Sequence, residues 1–443
     1  MSVRRISHPK REPKNAQKML TPFPQQRRTR APPEPFPQQH RTRANWRMAS
    51  ATGLGEDPEL HLERKPTDLH SLRASDGVLD KFSDHIQRNA ADSAVASLQR
   101  DDGDRTGSLR GQRILVTGSA GYLGKAFCLA LRGLGAVPIG LDIVAGENVD
   151  FEGDVSDSGK VREAMKGCNG VLHTAALHAP HATHHHESAF IATNITGTQN
   201  VLDAAVEAGG IPVIHTSTTS LTITKNVKKS EKSGKIVWLD ANSQSPMLSA
   251  KEMSDPADAP RNKYGRTKLE GERRCVAAAQ AGLPCVIIRI SRCFPEDLLA
   301  DSVIPGETPP DTANLKANEL LGRRVALVDV VTGHLRALTR ASEPAIIGKV
   351  LTLSAPFPFT RSETPTESAE FAGFLKEHRP DLLGLYKKLG WSMPFHLGRV
   401  YDAKLAVQLL DWRPLITFDL LIEAVSGGDV VAINGEDARL GRY

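Results

Sequence analysis

The sequence predicts an α/β protein built on a doubly wound parallel sheet, and two observations support this fold class. From residue 112 onward, short apolar segments rich in β-branched residues alternate with segments of helical period. Such alternation requires crossover connections and a sheet covered by helices on both faces. The first strand and helix are separated by Gly118, Gly121 and Gly124, in the strand–turn–helix context that a dinucleotide-binding turn requires. A ligand is therefore expected at the carboxyl ends of the strands.

The apolar pattern assigns the elements in order. Strands are expected at 113–117, 137–142, 149–155, 170–176, 211–218 and 285–290, separated by helices at 122–133, 157–166, 188–208 and 263–281. Beyond Ile290 the pattern is looser, with one strand at 349–354 and helices at 325–337, 368–378, 381–389, 404–410 and 418–424. We therefore predict a nucleotide-binding domain over 109–294 and a smaller mixed α/β lobe over 295–443 that binds the substrate.

The first 108 residues differ in composition from the rest of the chain. They are rich in Pro, Gln, Arg and Ser, and the segment Pro22–Ala31 recurs as Pro35–Ala44. Residues 1–50 hold twelve Lys or Arg and two Glu, a net charge of +10, so the remainder contributes −5 to the total of +5. Such a composition buries too little apolar surface to fold. A disordered basic extension is predicted over 1–108, with one short helix near 78–86.

The role of this basic extension is left open by its composition. A solvated extension is favoured, while a transit peptide or an arm for nucleic acid are the alternatives. No apolar run approaches the roughly 18 residues of a membrane span, and the five cysteines contain no Cys-x-x-Cys pair. We expect reduced thiols, a cytoplasmic location (organellar if the N-terminus is a transit peptide), and neither membrane nor nucleic acid as a partner.

Asp142 identifies the expected cofactor. It ends the second strand, 18 residues after Gly124, where a carboxylate accepts hydrogen bonds from the adenosine ribose hydroxyl and repels a 2′-phosphate. Ile143 and Val144 follow it, so no adjacent arginine would bind the extra phosphate of NADP. NAD is therefore predicted, the alternative being an aspartate that merely ends a strand.

Three further residues carry the expected chemistry. Tyr264 and Lys268 are four residues apart on one helix, a spacing that places both side chains on the same face. An ammonium beside a phenol favours the phenolate and lowers the pKa of the tyrosine from about 10, so Tyr264 is predicted to exchange a proton with the substrate oxygen. Thr218 ends the fifth strand, and its hydroxyl can orient the same oxygen.

Taken together, these motifs resemble the extended short-chain dehydrogenase/reductase family, the NAD-dependent epimerase/dehydratase group, over roughly residues 112–425. Further segments similar to family motifs are Gly153–Val155, Val171–Ala176, Asn194–Thr198, Val328–Val331 with His334, and Leu410–Pro414. The resemblance implies a Rossmann-type domain with Thr218, Tyr264 and Lys268 as catalytic residues. It also implies NAD contacts from Gly118, Gly121, Tyr122, Leu123, Gly124, Asp142, Asp154, Val155, Ala175, His178, Tyr264 and Lys268. Asn194 is a candidate substrate contact, and a homodimer is implied through the helices at 188–208 and 263–281.

Three features depart from this resemblance. The loop between Thr218 and Tyr264 is long and is expected to form a lid or an extra hairpin. Arg292 stands where sugar-nucleotide epimerases carry Asn, and their phosphate-binding arginine falls near Gly322, beside Arg323. Arg292 is predicted either to bind a negatively charged substrate group or to pair internally with Glu296 or Asp297.

Five histidines follow the fourth strand between residues 178 and 186. Such a cluster could bind zinc, but hydride chemistry with a Tyr/Lys pair needs no metal, so no metal is predicted. A polar loop is favoured, with His178 as a cofactor or substrate contact.

The predicted function is an NAD-dependent oxidoreductase of the extended short-chain type that acts on a secondary alcohol or ketone. The alternatives are a nucleotide-sugar 4-epimerase or dehydratase, and a non-catalytic NAD-sensing regulator. The intact set of Thr218, Tyr264 and Lys268 argues against the regulator, because a sensor does not need all three. The sequence does not identify the substrate, which is expected to be a small molecule.

Overall fold

The structure, a computed structural model, describes residues 77–178, 185–243, 256–293, 312–394 and 396–426 of the 443-residue chain. The tandem repeat at 22–44 and the chain beyond residue 426 lie outside these ranges. Among the helices described, none combines the length and the apolar character needed to cross a membrane.

Seven parallel strands form the central sheet, in the order β3-β2-β1-β4-β5-β7-β8, which confirms the predicted Rossmann-type fold. These strands are β1 (Arg113–Thr117), β2 (Val137–Asp142), β3 (Phe151–Glu152), β4 (Gly170–His173), β5 (Val213–Thr218), β7 (Cys285–Ile290) and β8 (Val350–Leu353). The inner strands β1, β4 and β5 are almost wholly buried, as expected for parallel strands covered on both faces. Two further strands, β6 (Val237–Leu239) and β9 (Arg399–Tyr401), pair with each other in parallel.

Helices cover both faces of this sheet, and others pack beside the pair β6–β9 in a separate apolar cluster. Most lie close to predicted positions, although no helix was expected at 225–232. In chain order, the first seven described helices are α1 (Gly77–Gly107), α2 (Tyr122–Gly133), α3 (Ser158–Met165), α4 (Glu187–Ile191), α5 (Gly197–Glu207), α6 (Lys225–Lys232) and α7 (Lys263–Gln280). The later ones are α8 (Thr312–Glu319), α9 (Leu327–Arg340), α10 (Phe371–His378), α11 (Asp381–Leu389), α12 (Lys404–Leu410) and α13 (Phe418–Ser426). A single π-helical stretch, Ala192–Thr196, joins α4 to α5, so this pair corresponds to the one helix predicted at 188–208.

Helix α1 corrects the prediction of disorder up to residue 108. It spans Gly77–Gly107 and packs against α2 and α9, with Ala91, Ala94 and Leu98 buried in the main core. These small apolar residues share one helix face, while most of the helix is polar, which is why composition alone suggested disorder. The Gln87 side-chain amide also donates to the backbone oxygen of Tyr122 (3.1 Å), so α1 contacts the start of the helix that follows the glycine turn.

The stretch predicted as a separate C-terminal lobe contributes to the central sheet. Strand β8 pairs with β7 at the edge of the sheet, and α9 is buried against the sheet with most of its residues in the core. The sheet therefore draws strands from both sides of the boundary placed at residue 294.

The long loop after Thr218 contains α6 and strand β6. Of the two predicted alternatives, an extra hairpin does not form in the described part of the loop, because β6 pairs with the distant strand β9 and begins with a hydrogen bond from Val237 N to Gly398 O (3.0 Å). A third apolar cluster, which includes Phe371, Leu382 and Phe418, packs beside this small sheet. The described part of the loop is thus anchored to the C-terminal half of the chain.

Candidate active site

The glycine turn between β1 and α2 is fixed by close backbone packing. Gly118 has φ +72°, and a Cβ there would lie 2.9 Å from both Ala175 N and Thr174 Oγ1. A Cβ on Gly124 would collide with the carbonyl of Gly118. Only glycine tolerates these two environments. Helix α2 therefore starts directly on the turn, with Gly121 as its N-cap and Tyr122 and Leu123 as its first, half-buried residues.

The amino end of α2 suits an anion. Among the described residues, no side chain caps its first turn, which also contains no acidic residue. Backbone N–H groups and the positive end of the helix dipole therefore meet at the turn. This arrangement is the one predicted for the pyrophosphate of a dinucleotide.

Asp142 lies at the carboxyl end of β2, next to this turn. Its Oδ2 accepts a hydrogen bond from Ala120 N (2.9 Å), and its Oδ1 accepts one from Val144 N (3.0 Å). The carboxylate is half-buried, so it braces the glycine turn and keeps lone pairs available for a ribose hydroxyl.

The ends of β3 and β4 complete this edge of the sheet. The Asp154 carboxylate is exposed and accepts from Ser156 N (2.8 Å), while Val155 is buried against Gly197 of α5. Thr117 Oγ1 accepts from Ala175 N (3.2 Å), which holds the chain after β4 beside Gly118. The predicted cofactor residues therefore lie at one edge of the sheet, as the parallel topology requires.

The predicted catalytic residues meet at the neighbouring strand end. Asn262 caps α7 by accepting from Gly265 N (2.8 Å), which places Tyr264 in the first turn of that helix. The Tyr264 hydroxyl forms a hydrogen bond with Thr218, where β5 ends. The His178 ring is stacked on the Tyr264 ring, with centroids 5.8 Å apart and an interplanar angle of 12°. The structure thus brings Thr218, Tyr264 and His178 together.

Lys268 lies one turn further along α7 and is buried. Its Nζ donates to Thr216 O (2.7 Å) and contacts His215 Nε2 (3.2 Å). Burial lowers the pKa of Lys268 to about 8, opposed by the charges of Cys275 and Glu272.

The expectation of a lowered tyrosine pKa is wrong for this arrangement. Burial raises the pKa of Tyr264 to about 12, and the hydrogen bond from Thr218 opposes that rise. The reason is that burial disfavours the phenolate, while the ammonium of Lys268 is directed to Thr216 and His215 of β5. The structure therefore presents Tyr264 as a protonated acid.

A buried ion pair anchors α7 to the sheet. Glu272 and Arg289 are fully buried and form a bidentate contact, with Nε–Oε1 at 2.9 Å and Nη2–Oε2 at 2.7 Å. Ser217 Oγ donates to Glu272 Oε1 (2.6 Å), next to Thr218. The pair therefore ties together α7, β5 and β7, the three elements on which the reacting groups depend.

Asn194 does not have the role of substrate contact that was predicted for it. It is buried, its Oδ1 accepts from Leu177 N (2.9 Å), and its Nδ2 donates to Leu177 O (3.1 Å) and Thr267 Oγ1 (3.0 Å). Because protein groups occupy the whole amide, Asn194 positions the backbone next to His178 and ties it to α7.

Arg292 is paired within the protein. Its guanidinium forms an ion pair with Glu319, which also pairs with Arg324 (3.0 Å). Of the two predicted roles, the internal ion pair is therefore present, but its partner is Glu319. Glu296 and Asp297, the predicted partners, lie outside the described residues. The Arg292 side chain is 38% exposed, so part of it stays accessible.

The histidine segment is only partly described. His181 and His184 fall outside the described residues, and elsewhere in the described chain no group of three or more His, Cys, Asp or Glu is placed to hold a metal. The five cysteines are buried free thiols that form no disulfide bond, as predicted.

Sequence reasoning missed His215, Glu272 and Arg289. Arg289 had a signal, since a charged residue within the apolar strand Cys285–Ile290 requires a buried partner. Glu272 follows Lys268 by four residues, which places both on the face of α7 that meets the sheet. His215 had no such signal, because it occupies an ordinary strand position.

Residues 114–305 match the model of the NAD dependent epimerase/dehydratase family. This match confirms the family resemblance at the level of the domain. NAD, the expected cofactor, is the one that the family description names.

Three curated proteins show the range of these relatives. The chain is 28% identical over 185 residues to a 4-hydroxy-2-methyl-3-oxo-4-farnesyl-3,4-dihydroquinoline-1-oxide ketoreductase of Stigmatella aurantiaca (40% of this chain, 49% of that protein). It is 25% identical over 168 residues to a 2-alkyl-3-oxoalkanoate reductase of Shewanella oneidensis (37% and 39%). It is 30% identical over 119 residues to a UDP-glucose 4-epimerase of Rhizobium meliloti (25% and 36%). The matched segments thus span about half or less of each relative.

Two solved structures align with much of the chain. A short-chain dehydrogenase/reductase superfamily protein from Agrobacterium tumefaciens, solved with bound NAD, is 21% identical and has a TM-score of 0.47 (71% of this chain, 96% of that chain). The dTDP-glucose 4,6-dehydratase DesIV from Streptomyces venezuelae is also 21% identical, with a TM-score of 0.44 (71% and 96%).

We expect Arg289→Met to lower the free energy of unfolding by about 3–5 kcal/mol, because it leaves the buried Glu272 carboxylate without its partner. Urea denaturation measures this change. Arg162→Met is the matched control, since the Arg162–Glu207 pair has a similar distance (2.9 Å) but both side chains are about half exposed; it should cost less than about 1 kcal/mol. Equal losses in the two variants would contradict the anchoring role of the buried pair.

Proposed function

Starting from a domain of the NAD dependent epimerase/dehydratase family over residues 114–305, we propose that this chain is an NAD-dependent oxidoreductase. It transfers hydride between NAD and a secondary alcohol or ketone. The observation that supports this proposal is the hydrogen bond between Tyr264 and Thr218 at the sheet edge, with Lys268 buried one turn along the same helix. Two of the similar curated proteins are a ketoreductase and an oxoalkanoate reductase, which favours this reaction class.

The proposed proton transfer centres on Tyr264. In the direction of reduction, its hydroxyl donates a proton to the carbonyl oxygen of the substrate while Thr218 orients that oxygen. A phenol with a raised pKa is protonated at neutral pH and suits this direction. Lys268 then stabilises the phenolate that remains. When bound, the cofactor would accept hydride as NAD or donate it as NADH.

The glycine turn and Asp142 would hold the cofactor. Backbone N–H groups at the start of α2 face the pyrophosphate position, and Asp142 beside them would accept from the ribose. Ala175 and His178, which follow β4, would line the nicotinamide end. An epimerase or dehydratase would use the same cofactor site, but it would regenerate NAD within each turnover, so net formation of NADH distinguishes the oxidoreductase.

We also propose that the substrate carries a negative charge. Arg292, Arg323 and Arg324 lie around the carboxylate of Glu319, next to the end of β7. Burial, Arg399 and Arg292 lower the pKa of Arg323, while Glu319 and Tyr401 raise it. Guanidinium groups at this edge of the sheet suit a carboxylate or phosphate, and a preference for neutral over anionic ketones in a substrate panel would contradict the proposal.

A homodimer is proposed through the exposed faces of α5 and α7. These helices pack side by side and present Val206, which is 58% exposed, near Arg273 and Arg274 of α7. Light scattering at micromolar concentration should report twice the chain mass of 48.0 kDa, and a monomer would contradict the proposal. A cytoplasmic location remains a prediction.

NADH should bind more tightly than NADPH. The Asp142 carboxylate is fixed by Ala120 N and Val144 N and would repel a 2′-phosphate at that position. Fluorescence titration of each reduced cofactor measures the two dissociation constants. The Asp142→Asn variant should reduce the difference between the dissociation constants of NADH and NADPH. Tighter binding of NADPH by the unaltered protein would rule out the assignment.

Tyr264→Phe should reduce turnover by about 10²–10⁴-fold, because it removes the proton donor and preserves the ring. Turnover is followed as NADH oxidation over a panel of neutral and anionic ketones, and the dissociation constant for NADH should change by less than about threefold. Tyr386→Phe is the matched control, because the buried hydroxyl of Tyr386 donates to Asn318 in the C-terminal half of the chain. Full activity of the Tyr264 variant would show that another group supplies the proton.

A further inference from the structure

Lys268 receives an unusual partner from the strand beneath it. A lysine ammonium has three donors and no acceptor. One hydrogen goes to Thr216 O (2.7 Å), and a second points at His215 Nε2 (3.2 Å). His215 is fully buried on β5. For a protonated Lys268, this ring nitrogen must therefore be the unprotonated acceptor, which places the imidazole proton on Nδ1.

His215 Nδ1 has no hydrogen-bond partner among the described residues, although it is buried. Burying a polar atom without a partner costs folding free energy. We therefore attribute the placement of this ring to the contact made by Nε2. Among the described residues, the imidazole of His215 thus makes its polar contact through Nε2, with the ammonium of Lys268.

The surroundings keep this imidazole neutral. The His173 ring lies 5.2 Å away, between Thr117 (2.7 Å) and Thr198 (3.1 Å). Burial lowers the pKa of His215 well below its ordinary range, and the charges of Lys268, His173 and His334 lower it further. Burial also lowers the pKa of His173 to about 3.

The remaining titratable neighbours lie on α7 and α9. His334 bonds Thr216 Oγ1 (3.1 Å) and Val330 O (2.8 Å), and burial lowers its pKa to about 4. Glu272 and Cys275 lie on α7 and act on Lys268 through their charges. Of the three histidines and Lys268, the lysine alone therefore has a pKa near working pH.

We propose that His215 is a positioning residue that holds the ammonium of Lys268 against β5 and keeps it cationic beneath Tyr264. This inference depends on the proposed function only for the role of Lys268 in supporting the phenolate. The Nε2 contact stabilises the charged lysine, since a hydrogen bond to an ionised donor favours that form. Without it, Lys268 would lose its proton at a lower pH.

The test compares His215→Phe, which has no acceptor, with His215→Gln, which keeps an amide oxygen. NMR of the lysine ε-carbons follows the ionisation of Lys268 as pH is raised, with the spectrum of Lys268→Met in each background subtracted to isolate its signal. We expect the Lys268 midpoint to fall by about one pH unit in His215→Phe and to stay near the wild-type value in His215→Gln. His334→Gln is the matched control, because it alters a buried imidazole that bonds Thr216 and not Lys268.

A thermal melt of each variant separates this role from a purely structural one. If His215→Phe melts early but leaves the Lys268 midpoint unchanged, or if the Phe and Gln variants shift it equally, the proposal is overturned. His215→Leu, also without an acceptor, replaces the Phe variant if that variant does not fold. The titrations are run with and without NAD. A failure of NAD to bind would defeat the proposed function, while the comparison without cofactor would still decide the role of His215.

Discussion

The position of α7 on the sheet is the constraint on which the candidate site depends. Tyr264 and Lys268 reach the carboxyl edge only if this helix lies close to β5. Gly271 allows this approach, since a Cβ there would lie 3.6 Å from His215 Nε2 of β5 and 3.1 Å from Asn194 O. The fully buried contact between Glu272 and Arg289 then fixes the helix. A buried pair gives little net stability, but breaking it is costly, so it acts mainly by specifying one arrangement.

Much of this architecture could be predicted because its signals are local. The glycine turn, the apolar strands and the four-residue spacing of Tyr264 and Lys268 each follow from backbone geometry within a few residues. Contacts between distant segments have no such signal. The pairing of Arg292 with Glu319 spans 27 residues, and strand β6 pairs with β9 more than a hundred residues later. Helix α1 was missed because only its buried face, with Ala91, Ala94 and Leu98, distinguishes it from a solvated chain.

The pKa of Tyr264 shows where a chemical argument from sequence is incomplete. Spacing alone places a cation beside a phenol and predicts a lower pKa. The structure adds burial, which raises the pKa to about 12, and it directs the lysine to Thr216 and His215. Burial and charge act in opposite directions on a phenol, and only the three-dimensional contacts decide between them. The same reasoning explains why three histidines stay neutral around a lysine.

The strand order explains why cofactor and reacting groups meet at one edge. The chain order reverses between β1 and β4, which are neighbours in the sheet, and a crevice opens at such a reversal. The glycine turn follows β1 and Ala175 follows β4, so the turn and the backbone that packs against it lie on either side of this crevice. Thr218 ends the next strand, β5, which pairs with β4. A dinucleotide laid across the reversal would therefore direct its reactive end toward Thr218 and Tyr264, whereas Asp142, at the end of β2, would meet its other end.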